Sequence, residues 1–402
     1  MFDLDRFIAQ YVTQRTQSLF LQDIEDNRAV LEERISGRSL LVIGGAGSIG
    51  SSFIRAMLSF RPGALVIVDT NENALTELTR DLRSTRGMPV PEDYLPYPMD
   101  FASPTFERMF RHRGGFDIVA NFSAHKHVRS EKDIFSIEAL IRNNVLNAQR
   151  LLSLLAELPP RAYFCVSTDK AANPVNIMGA SKRVMEDMIF SHSDRFSVKT
   201  ARFANVAFSN GSLPAGFLAR LSKRQPISAP MDVRRYFVSP EESGQICMLA
   251  CMLGENREIF FPKLVEAQMM TFDSIATHLL QMQGYSVLRC TSDREALDKT
   301  EELRRGGKDY PVRYTASDTS GEKPFEEFFT EHETVDMGRF QALGVITGKG
   351  PGDRERLEAL LKTLERMFTR EDVSKADVVA ALKNYLPNFD HIETGKSLDK
   401  KM

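Results

Sequence analysis

The chain has 402 residues, of which 42% are hydrophobic, and its formal net charge is −2. The composition suffices for a sizeable core, and the charge gives no electrostatic reason to expect nucleic acid or a membrane surface as a partner. No apolar run has the length of a membrane span, and acidic residues occupy the start where a signal peptide carries basic ones. We therefore expect a cytoplasmic protein.

Residues 1–37 are predicted to form a helical extension, because apolar residues recur there among polar ones. From residue 38 to residue 205, short apolar runs alternate with helical patterns, which is typical of a doubly wound parallel sheet. The predicted strands are Ser39–Ile43, Ala64–Val68, Leu95–Pro98, Asp117–Phe122, Ala162–Ser167 and Ser197–Phe203.

The first strand runs directly into a glycine-rich turn and then into a helix. Gly44, Gly47 and Gly50 have the G-x-x-G-x-x-G spacing, with Ser48 and Ile49 between the last two. Glycines at these positions allow a tight turn and a close approach of the backbone to a pyrophosphate at the helix N-terminus. In this strand–turn–helix context the motif predicts a Rossmann-type domain that binds a dinucleotide.

Asp69 follows the second strand of this domain. A carboxylate there accepts hydrogen bonds from the adenosine ribose and repels a 2′-phosphate, which favours NAD over NADP. The alternative is that Asp69 only caps a turn with Asn71, because strand ends favour aspartate in any case.

The stretch after the fifth strand carries the reactive side chains. Ser167-Thr168-Asp169-Lys170 is followed by Met178 and Lys182, which are four residues apart and therefore share a helical face. The whole string STDKAANPVNIMGASKR closely resembles the catalytic segment of nucleotide-sugar 4,6-dehydratases, in the polysaccharide-biosynthesis branch of the extended short-chain dehydrogenases/reductases. This family implies NAD as cofactor and a nucleotide sugar as substrate, with UDP-N-acetylglucosamine as its usual form.

The resemblance implies a role for each of these residues. Thr168 would hydrogen-bond the oxygen on sugar carbon 4, Asp169 would act as acid, and Lys170 would act as base. Lys182 would hold the nicotinamide ribose. Met178 stands where short-chain dehydrogenases carry a catalytic tyrosine, and a thioether cannot accept a proton at neutral pH. A subgroup of these dehydratases also has methionine there, so the oxidation of carbon 4 is expected to use Lys182, or Asp169 through water.

Further cofactor residues are implied by the same resemblance. Asp100 and Phe101 follow the third strand, where the family contacts adenine, and Ser123 lies in the small-residue turn after the fourth strand. Lys126 and His127 belong to the lysine-histidine-valine segment that lines cofactor and substrate in the family.

The remaining implied substrate residues come later in the chain. Asn205 matches the asparagine that faces the sugar or the phosphates, and Arg235 belongs to an arginine-tyrosine-phenylalanine element of the nucleotide pocket. Glu322 belongs to the late glycine-glutamate-lysine signature. Asn143-Asn144-Val145 matches the helix whose asparagine braces the active site in the family, with an ordinary polar helix face as an equal alternative.

No metal site is predicted. His125 and His127 form a His-x-His pair, but no third ligand is suitably spaced. The four cysteines show no metal-ligand spacing, and Cys247 and Cys251, one helical turn apart, are interpreted as core residues.

Residues 206–345 are predicted to form a smaller substrate-binding lobe, interleaved with the Rossmann-type domain. Within it, 264–312 is interpreted as a long insertion outside the resemblance, helical at Thr271–Met282 and charged at Asp293–Lys308. Residues 346–402 follow with two amphipathic helices, Asp353–Thr369 and Lys375–Tyr385, and a polar tail.

The helix that carries Lys182 has an apolar stripe wider than one core contact requires. Its members are Val184, Met185, Met188 and Ile189. A helix that is apolar over much of its circumference is buried from more than one side. We therefore expect a homodimer or a larger even homo-oligomer that pairs this face. The alternative is that the terminal helices cover the stripe within one chain.

Three functions compete at this point. The first is a 4,6-dehydratase, because an adjacent acid and base serve elimination of water. The second is a 5-epimerase or 4-epimerase of the same superfamily. The third is a non-catalytic NAD-binding protein, which the absence of the tyrosine would suit.

Overall fold

The structure is a computed structural model, and it describes residues 2–317 and 327–392. In these ranges the chain forms fifteen β-strands: β1 Ser39–Ile43, β2 Ala64–Asp69, β3 Asp93–Pro98, β4 Ile118–Asn121, β5 Ala162–Val166, β6 Val198–Ala201, β7 Asn205–Val206, β8 Ile227–Pro230, β9 Arg234–Val238, β10 Glu258–Pro262, β11 Met269–Thr271, β12 Ser286–Arg289, β13 Asp309–Thr315, β14 Thr334–Asp336 and β15 Leu343–Thr347.

The same ranges contain fifteen α-helices: α1 Leu4–Tyr11, α2 Leu21–Asp26, α3 Arg28–Ile35, α4 Ser48–Leu58, α5 Glu72–Ser84, α6 Pro104–His112, α7 Ile134–Ile141, α8 Ala148–Glu157, α9 Ile177–Ser191, α10 Leu213–Lys223, α11 Pro240–Leu253, α12 Phe272–Met282, α13 Asp293–Arg304, α14 Arg354–Met367 and α15 Lys375–Tyr385. No helix in the described ranges has both the length and the apolar character that a membrane crossing requires.

Nine strands form the central sheet, in the order β14-β15-β10-β6-β5-β4-β1-β2-β3. The seven strands that stand between β10 and β3 in this order, these two included, are parallel to one another. Strand β15 is antiparallel to β10, and β14 is antiparallel to β15. The chain order reverses between β1 and β4, and in such sheets a ligand binds beyond the carboxyl ends of the strands at this point. The prediction of a Rossmann-type sheet is therefore confirmed, and all six predicted strands are present with ends shifted by up to two residues.

The smaller lobe contains two three-stranded sheets, β11-β9-β7 and β12-β13-β8. Its separate core includes apolar side chains of α10, α12 and β13. The segment 264–312 is built into this lobe, because β11 pairs with β9 and β12 pairs with β13. The helix predicted within this segment is confirmed as α12.

The N-terminal extension, which was predicted to be helical, forms the three helices α1, α2 and α3 and contacts both cores. Phe7 and Ile8 of α1 belong to the core of the smaller lobe, whereas Leu31 and Ile35 of α3 belong to the main core. The extension therefore spans the two parts of the molecule.

The predicted C-terminal helices are confirmed as α14 and α15. Helix α14 packs against α9, which also contacts α7 and α8. The stripe on α9 is buried within this single chain, with 0% exposure at Val184, Met188 and Ile189. A second copy therefore has no access to this face while α14 is in place, which corrects the expected mode of dimerisation. The oligomeric state itself stays a prediction.

Candidate active site

The glycine-rich turn forms a close-packed cradle at the end of β1. Gly44 has φ +70°, and a Cβ atom there would lie 2.6 Å from the backbone nitrogen of Ser123. A Cβ at Gly50 would collide with the carbonyl of Gly44, and Gly47 is the N-cap of α4. Only glycine therefore fits Gly44 and Gly50, and the turn leaves the N-terminus of α4 accessible to an anion.

Asp69 braces this turn from the neighbouring strand. Its Oδ2 accepts a hydrogen bond from the Ala46 backbone N–H at 3.1 Å, and its Oδ1 accepts one from the Asn71 N–H at 2.9 Å. Asp69 therefore does cap a turn with Asn71, as the alternative interpretation of this residue proposed. This cap does not exclude a ribose partner, because each carboxylate oxygen can accept a second hydrogen bond.

A cavity of about 470 Å³ opens beside the turn. Six of the predicted cofactor residues line it: Gly44, Gly47, Asp69, Asp100, Phe101 and Ser123. Arg142 and Asn147 also line the cavity and were missed, because both lie on a π-helical segment, Arg142–Asn147, that no sequence pattern indicated. The glycine cradle and the cavity together fit a dinucleotide.

The other predicted cofactor residues lie outside this cavity lining. Ser48 and Ile49 belong to the first turn of α4. The Ser48 hydroxyl accepts a hydrogen bond from the Asn210 N–H at 2.9 Å, so it joins the glycine-rich turn to the loop after β7.

Thr168, Asp169 and Lys170 follow β5 directly and lie together. Asp169 is buried, and its Oδ1 accepts hydrogen bonds from the Thr168 hydroxyl at 2.7 Å and from the Lys170 Nζ at 3.2 Å. The Lys170 backbone N–H donates to the same oxygen at 2.9 Å. A carboxylate and an amine in direct contact can exchange a proton without any other group.

Helix α9 places Lys182 beside this segment. A Cβ at Gly179 would lie 2.7 Å from the Lys170 carbonyl oxygen, so glycine permits the close approach of helix and loop. Lys182 is buried, and its Nζ donates to the Val166 carbonyl at 3.1 Å. Burial lowers the pKa of Lys182 to about 8, against smaller opposing effects of Cys165 and Glu186. Lys182 is therefore able to lose its proton near neutral pH.

Met178 is buried at 3% exposure, one helical turn before Lys182. The Met178 thioether therefore occupies the position at which, by the resemblance, other members of the superfamily carry a tyrosine. Sulfur of this kind is a weak hydrogen-bond acceptor and has no proton to exchange. Any proton transfer at this position has to involve a neighbouring group.

A buried cluster of charged side chains connects Ser167, just before Thr168–Lys170, to α9 and β6. Arg202 is completely buried at the end of β6, where it binds Glu186 of α9 at 2.8 Å and Glu333 at 2.7 Å. The Ser167 hydroxyl donates to Glu186 at 2.6 Å. Burial alone would raise the pKa of both carboxyl groups, but Arg202 lowers both, that of Glu333 to about 2. Sequence reasoning missed this role of Arg202, because its partners are distant in the chain.

Asn144, in the predicted Asn143-Asn144-Val145 segment, is buried and hydrogen-bonded to two other parts of the chain. Its Oδ1 accepts from the His125 N–H at 2.8 Å, and its Nδ2 donates to the His125 carbonyl at 3.0 Å. The same Nδ2 donates to the Ser181 hydroxyl at 3.2 Å, next to Lys182. Asn144 therefore connects the loop after β4 to α9.

The predicted substrate residues occupy the smaller lobe and the loop facing it. Lys126 and His127 are exposed, and the His127 ring lies against Gly211. Asn205 and Arg235 lie on the paired strands β7 and β9, and Arg235 is buried at 4% exposure. Glu322 lies outside the described residues.

Solved structures share this fold at low sequence identity. Pen from Bacillus thuringiensis has a TM-score of 0.63 at 19% identity, and the match covers 80% of this chain and 90% of that chain. The dTDP-glucose 4,6-dehydratase DesIV from Streptomyces venezuelae has a TM-score of 0.55 at 18% identity, covering 87% and 97%. A UDP-N-acetylglucosamine 4-epimerase from Methanobrevibacter ruminantium has a TM-score of 0.54 at 14% identity, covering 83% and 99%. These likenesses show the fold alone.

Three related sequences have somewhat higher identity. A Methanocaldococcus jannaschii protein named an uncharacterized membrane protein is 25% identical over 84% of this chain and 94% of its own length. A capsular polysaccharide biosynthesis protein of Staphylococcus aureus is 27% identical over 65% of this chain, and the match spans 43% of that protein, less than half. An inverting UDP-N-acetylglucosamine 4,6-dehydratase of Campylobacter jejuni is 27% identical over 57% of this chain and 68% of the enzyme.

The family model described as polysaccharide biosynthesis protein matches residues 40–346. This range begins in β1 and encloses the glycine-rich turn, Thr168–Lys170 and the segment 264–312. It ends before α14, so the C-terminal helices lie outside it. Because the match covers most of the chain, the protein belongs to the polysaccharide biosynthesis family, within the nucleotide-sugar dehydratase and epimerase superfamily of extended short-chain dehydrogenases/reductases.

Proposed function

We propose that the protein is an NAD-dependent nucleotide-sugar 4,6-dehydratase, with UDP-N-acetylglucosamine as the first substrate to test. The observation that carries this proposal is the contact between Asp169 and Lys170, whose Oδ1 and Nζ are 3.2 Å apart beside the buried Lys182. Elimination of water needs an acid and a base at adjacent carbons, and this pair supplies both. The relatives named as 4,6-dehydratases add support.

NAD would supply the hydride acceptor for sugar carbon 4 and would return the hydride to carbon 6, while Lys170 would return the proton to carbon 5. Gly44, Gly47 and Asp69 would hold its adenosine and pyrophosphate part, and Lys182 its nicotinamide ribose. Thr168 would hydrogen-bond the carbon-4 oxygen once its hydroxyl turns away from Asp169, to which it donates here. Since Met178 cannot take the hydroxyl proton, Lys182, with its pKa near 8, is the group that we assign to this step.

The elimination step balances within the pair. Transfer of one proton from Lys170 to Asp169 gives a neutral amine and a neutral carboxylic acid. Lys170 then removes the proton from carbon 5, whose acidity the carbon-4 ketone increases, while Asp169 gives its proton to the departing carbon-6 hydroxyl. The pair ends in the charge state in which it began, and one water leaves.

The test is incubation of the purified protein with UDP-, GDP- and dTDP-linked sugars, followed by mass spectrometry. We expect one substrate to lose the mass of a water molecule, and Asp169→Asn to abolish that loss. Reaction in heavy water followed by NMR would separate inversion at carbon 5 from simple dehydration. Release of the bound nucleotide by denaturation would identify NAD or NADP. Unchanged mass with every sugar, together with bound nucleotide, would favour a non-catalytic protein.

A further inference from the structure

Two side chains that precede α9 in the sequence accept hydrogen bonds from backbone N–H groups in its first turn. The Asn176 side chain accepts from the Gly179 N–H at 2.7 Å, and Glu131 Oε1 accepts from the Met178 N–H at 2.8 Å. Both N–H groups belong to the first turn, where they have no partner within the helix. The Glu131 carboxylate also lies at the positive end of the helix dipole, where a negative charge is stabilising.

Glu131 is itself held by the C-terminal segment. It is 8% exposed, and its Oε2 lies 3.8 Å from the His391 Nε2. The Lys375 Nζ donates to the Glu131 carbonyl at 3.2 Å, across 244 residues of sequence. The Ile392 N–H donates to the Val175 carbonyl at 3.0 Å, in the loop that leads into α9. These contacts come from residues beyond 346, where the family match ends.

The same segment also reaches the wall of the cofactor cavity. Arg142, which lines that cavity, donates from Nη2 to the Phe368 carbonyl at 3.4 Å. Its guanidinium carbon lies 5.5 Å from the centre of the Phe368 ring. The C-terminal helices thus support the site at two separate points.

Glu131 also connects α9 to the segment that carries Lys126 and His127. It ends the short 3₁₀ turn Val128–Glu131, which begins directly after His127. The Ser130 N–H donates to the His127 carbonyl at 3.0 Å. One carboxylate therefore joins the loop of the predicted substrate residues to the helix of Met178 and Lys182.

From these contacts we infer that Glu131 is a positioning residue for the reaction, held in place by Lys375 and His391. Its kinetic consequence rests on the proposed dehydratase function. Glu131 acts through the Met178 N–H, which sets the start of α9 and hence the position of Lys182 one turn later. A misplacement of about 1 Å by a distant substitution can cost on the order of 100-fold in rate.

The test compares Glu131→Ala, Glu131→Gln and His391→Ala with the wild-type protein. The matched control is Glu331→Ala, which breaks an exposed Glu–His pair, Glu331–His332, with a 3.4 Å contact. For each variant, kcat and KM for the nucleotide sugar are measured, together with amide hydrogen exchange of peptides that cover residues 173–183.

We expect Glu131→Ala to lower kcat by about tenfold or more, with a smaller change in KM, because an interaction of this kind orients a group rather than binds substrate. Exchange should quicken in the 173–183 peptides and stay unchanged in the central strands. Glu131→Gln should recover part of kcat, since its amide oxygen still accepts from the Met178 N–H. His391→Ala should change kcat and exchange in the same direction but less.

Two results would overturn the inference: wild-type kcat and exchange in Glu131→Ala, or faster exchange throughout the protein, which would mean a general structural role. If the wild-type protein dehydrates no nucleotide sugar, the proposed function fails separately. Hydrogen exchange then decides alone whether Glu131 holds the start of α9.

Discussion

The hydrogen bonds around Asp169 distinguish its two carboxylate oxygens. Three donors converge on Oδ1, namely the Thr168 hydroxyl and the backbone and side-chain nitrogens of Lys170. A proton that passes directly between Lys170 and Asp169 therefore moves along the contact between Nζ and Oδ1.

Replacement of either member of the pair should stop the elimination. We expect Asp169→Asn and Lys170→Met each to reduce water loss by on the order of 100-fold or more while NAD stays bound. The measurement is the rate of appearance of the dehydrated product by mass spectrometry. Asp372→Asn removes the same charge from an exposed pair with Arg370 and serves as the control. Near-normal turnover in both site variants would refute the mechanism.

The ionisation of Lys182 should appear in the pH profile. Its pKa is lowered to about 8, so Lys182 is protonated below that pH and cannot accept the carbon-4 hydroxyl proton. The rate of carbon-4 oxidation should therefore rise with pH and level off above about 8. In Lys182→Arg the guanidinium stays charged, so the rising limb should disappear with most of the activity. A rising limb that persists in this variant would assign the step to another group.

Asp69 should determine the choice of dinucleotide. Because its carboxylate faces the cavity of the proposed adenosine site, a 2′-phosphate would meet negative charge. We expect Asp69→Ala to bind NADP more tightly and NAD more weakly than the wild-type protein does, as measured by calorimetry. Asp69→Asn keeps acceptance from the Ala46 N–H possible, and so separates the loss of charge from disruption of the turn. NADP bound to the native protein would contradict the prediction.

At the scale of elements, α9 is the helix on which the site depends most. It carries Met178 and Lys182, its Glu186 binds Arg202, its apolar stripe is buried, and α14 packs against it. The buried side chains of α14 are Leu357, Leu360, Leu361 and Leu364. The C-terminal helices therefore add α14 and α15 to the helical layer that contains α9.

Removal of these helices should expose the stripe on α9. We expect a chain that ends at Gly352 to self-associate more strongly than the full chain, because a large apolar patch would become accessible. Light scattering would compare both masses with the 45.4 kDa of one full-length copy. A chain that ends at Ile392 keeps α14 and α15 and serves as the control. If all three chains have the same number of copies per particle at equal concentration, the exposed stripe does not cause self-association.

Local patterns in the sequence predicted these elements well. Helix α15 was predicted from Lys375 to Tyr385 and has those bounds, because a capping serine and regular apolar spacing define it. The proximity of Asp169 and Lys170 is equally local. The apolar stripe on α9 predicted that this helix is buried from more than one side. It did not predict whether a second copy or another part of the same chain covers the stripe. The contact between Glu131 and Lys375 joins positions 244 residues apart, and no single-sequence pattern encodes such a pairing.

At the scale of the whole molecule, the N-terminal extension connects the two lobes. Helix α1 packs in the smaller core and α3 packs on the main core. Arg15 lies between these two helices in the sequence. Arg15 binds Glu242 of α11 through two nitrogens, at 3.0 and 2.7 Å, and donates to the Phe237 carbonyl of β9 at 3.2 Å. The extension therefore resists separation of the lobes that bound the proposed substrate site.

Loss of Arg15 should destabilise the protein. Arg15→Met would leave the buried Glu242 without its ionic partner, and breaking such a pair costs about 3–5 kcal/mol. We expect a corresponding decrease in the free energy of unfolding, measured with urea. Arg28→Met in the same extension removes an exposed pair with Glu25 and should have a much smaller effect. Equal losses in the two variants would contradict this assignment.

The covering of α9 by α14 also has a consequence during synthesis. The ribosome completes the stripe at 184–189 long before it makes Leu357–Leu364, and domains begin to fold as they emerge. β15, which lies between β10 and the edge strand β14 of the main sheet, is also made only a few residues before α14. The nascent chain therefore carries an open sheet edge at β10 and an apolar helix without its α14 contact until residues 343–364 have been made.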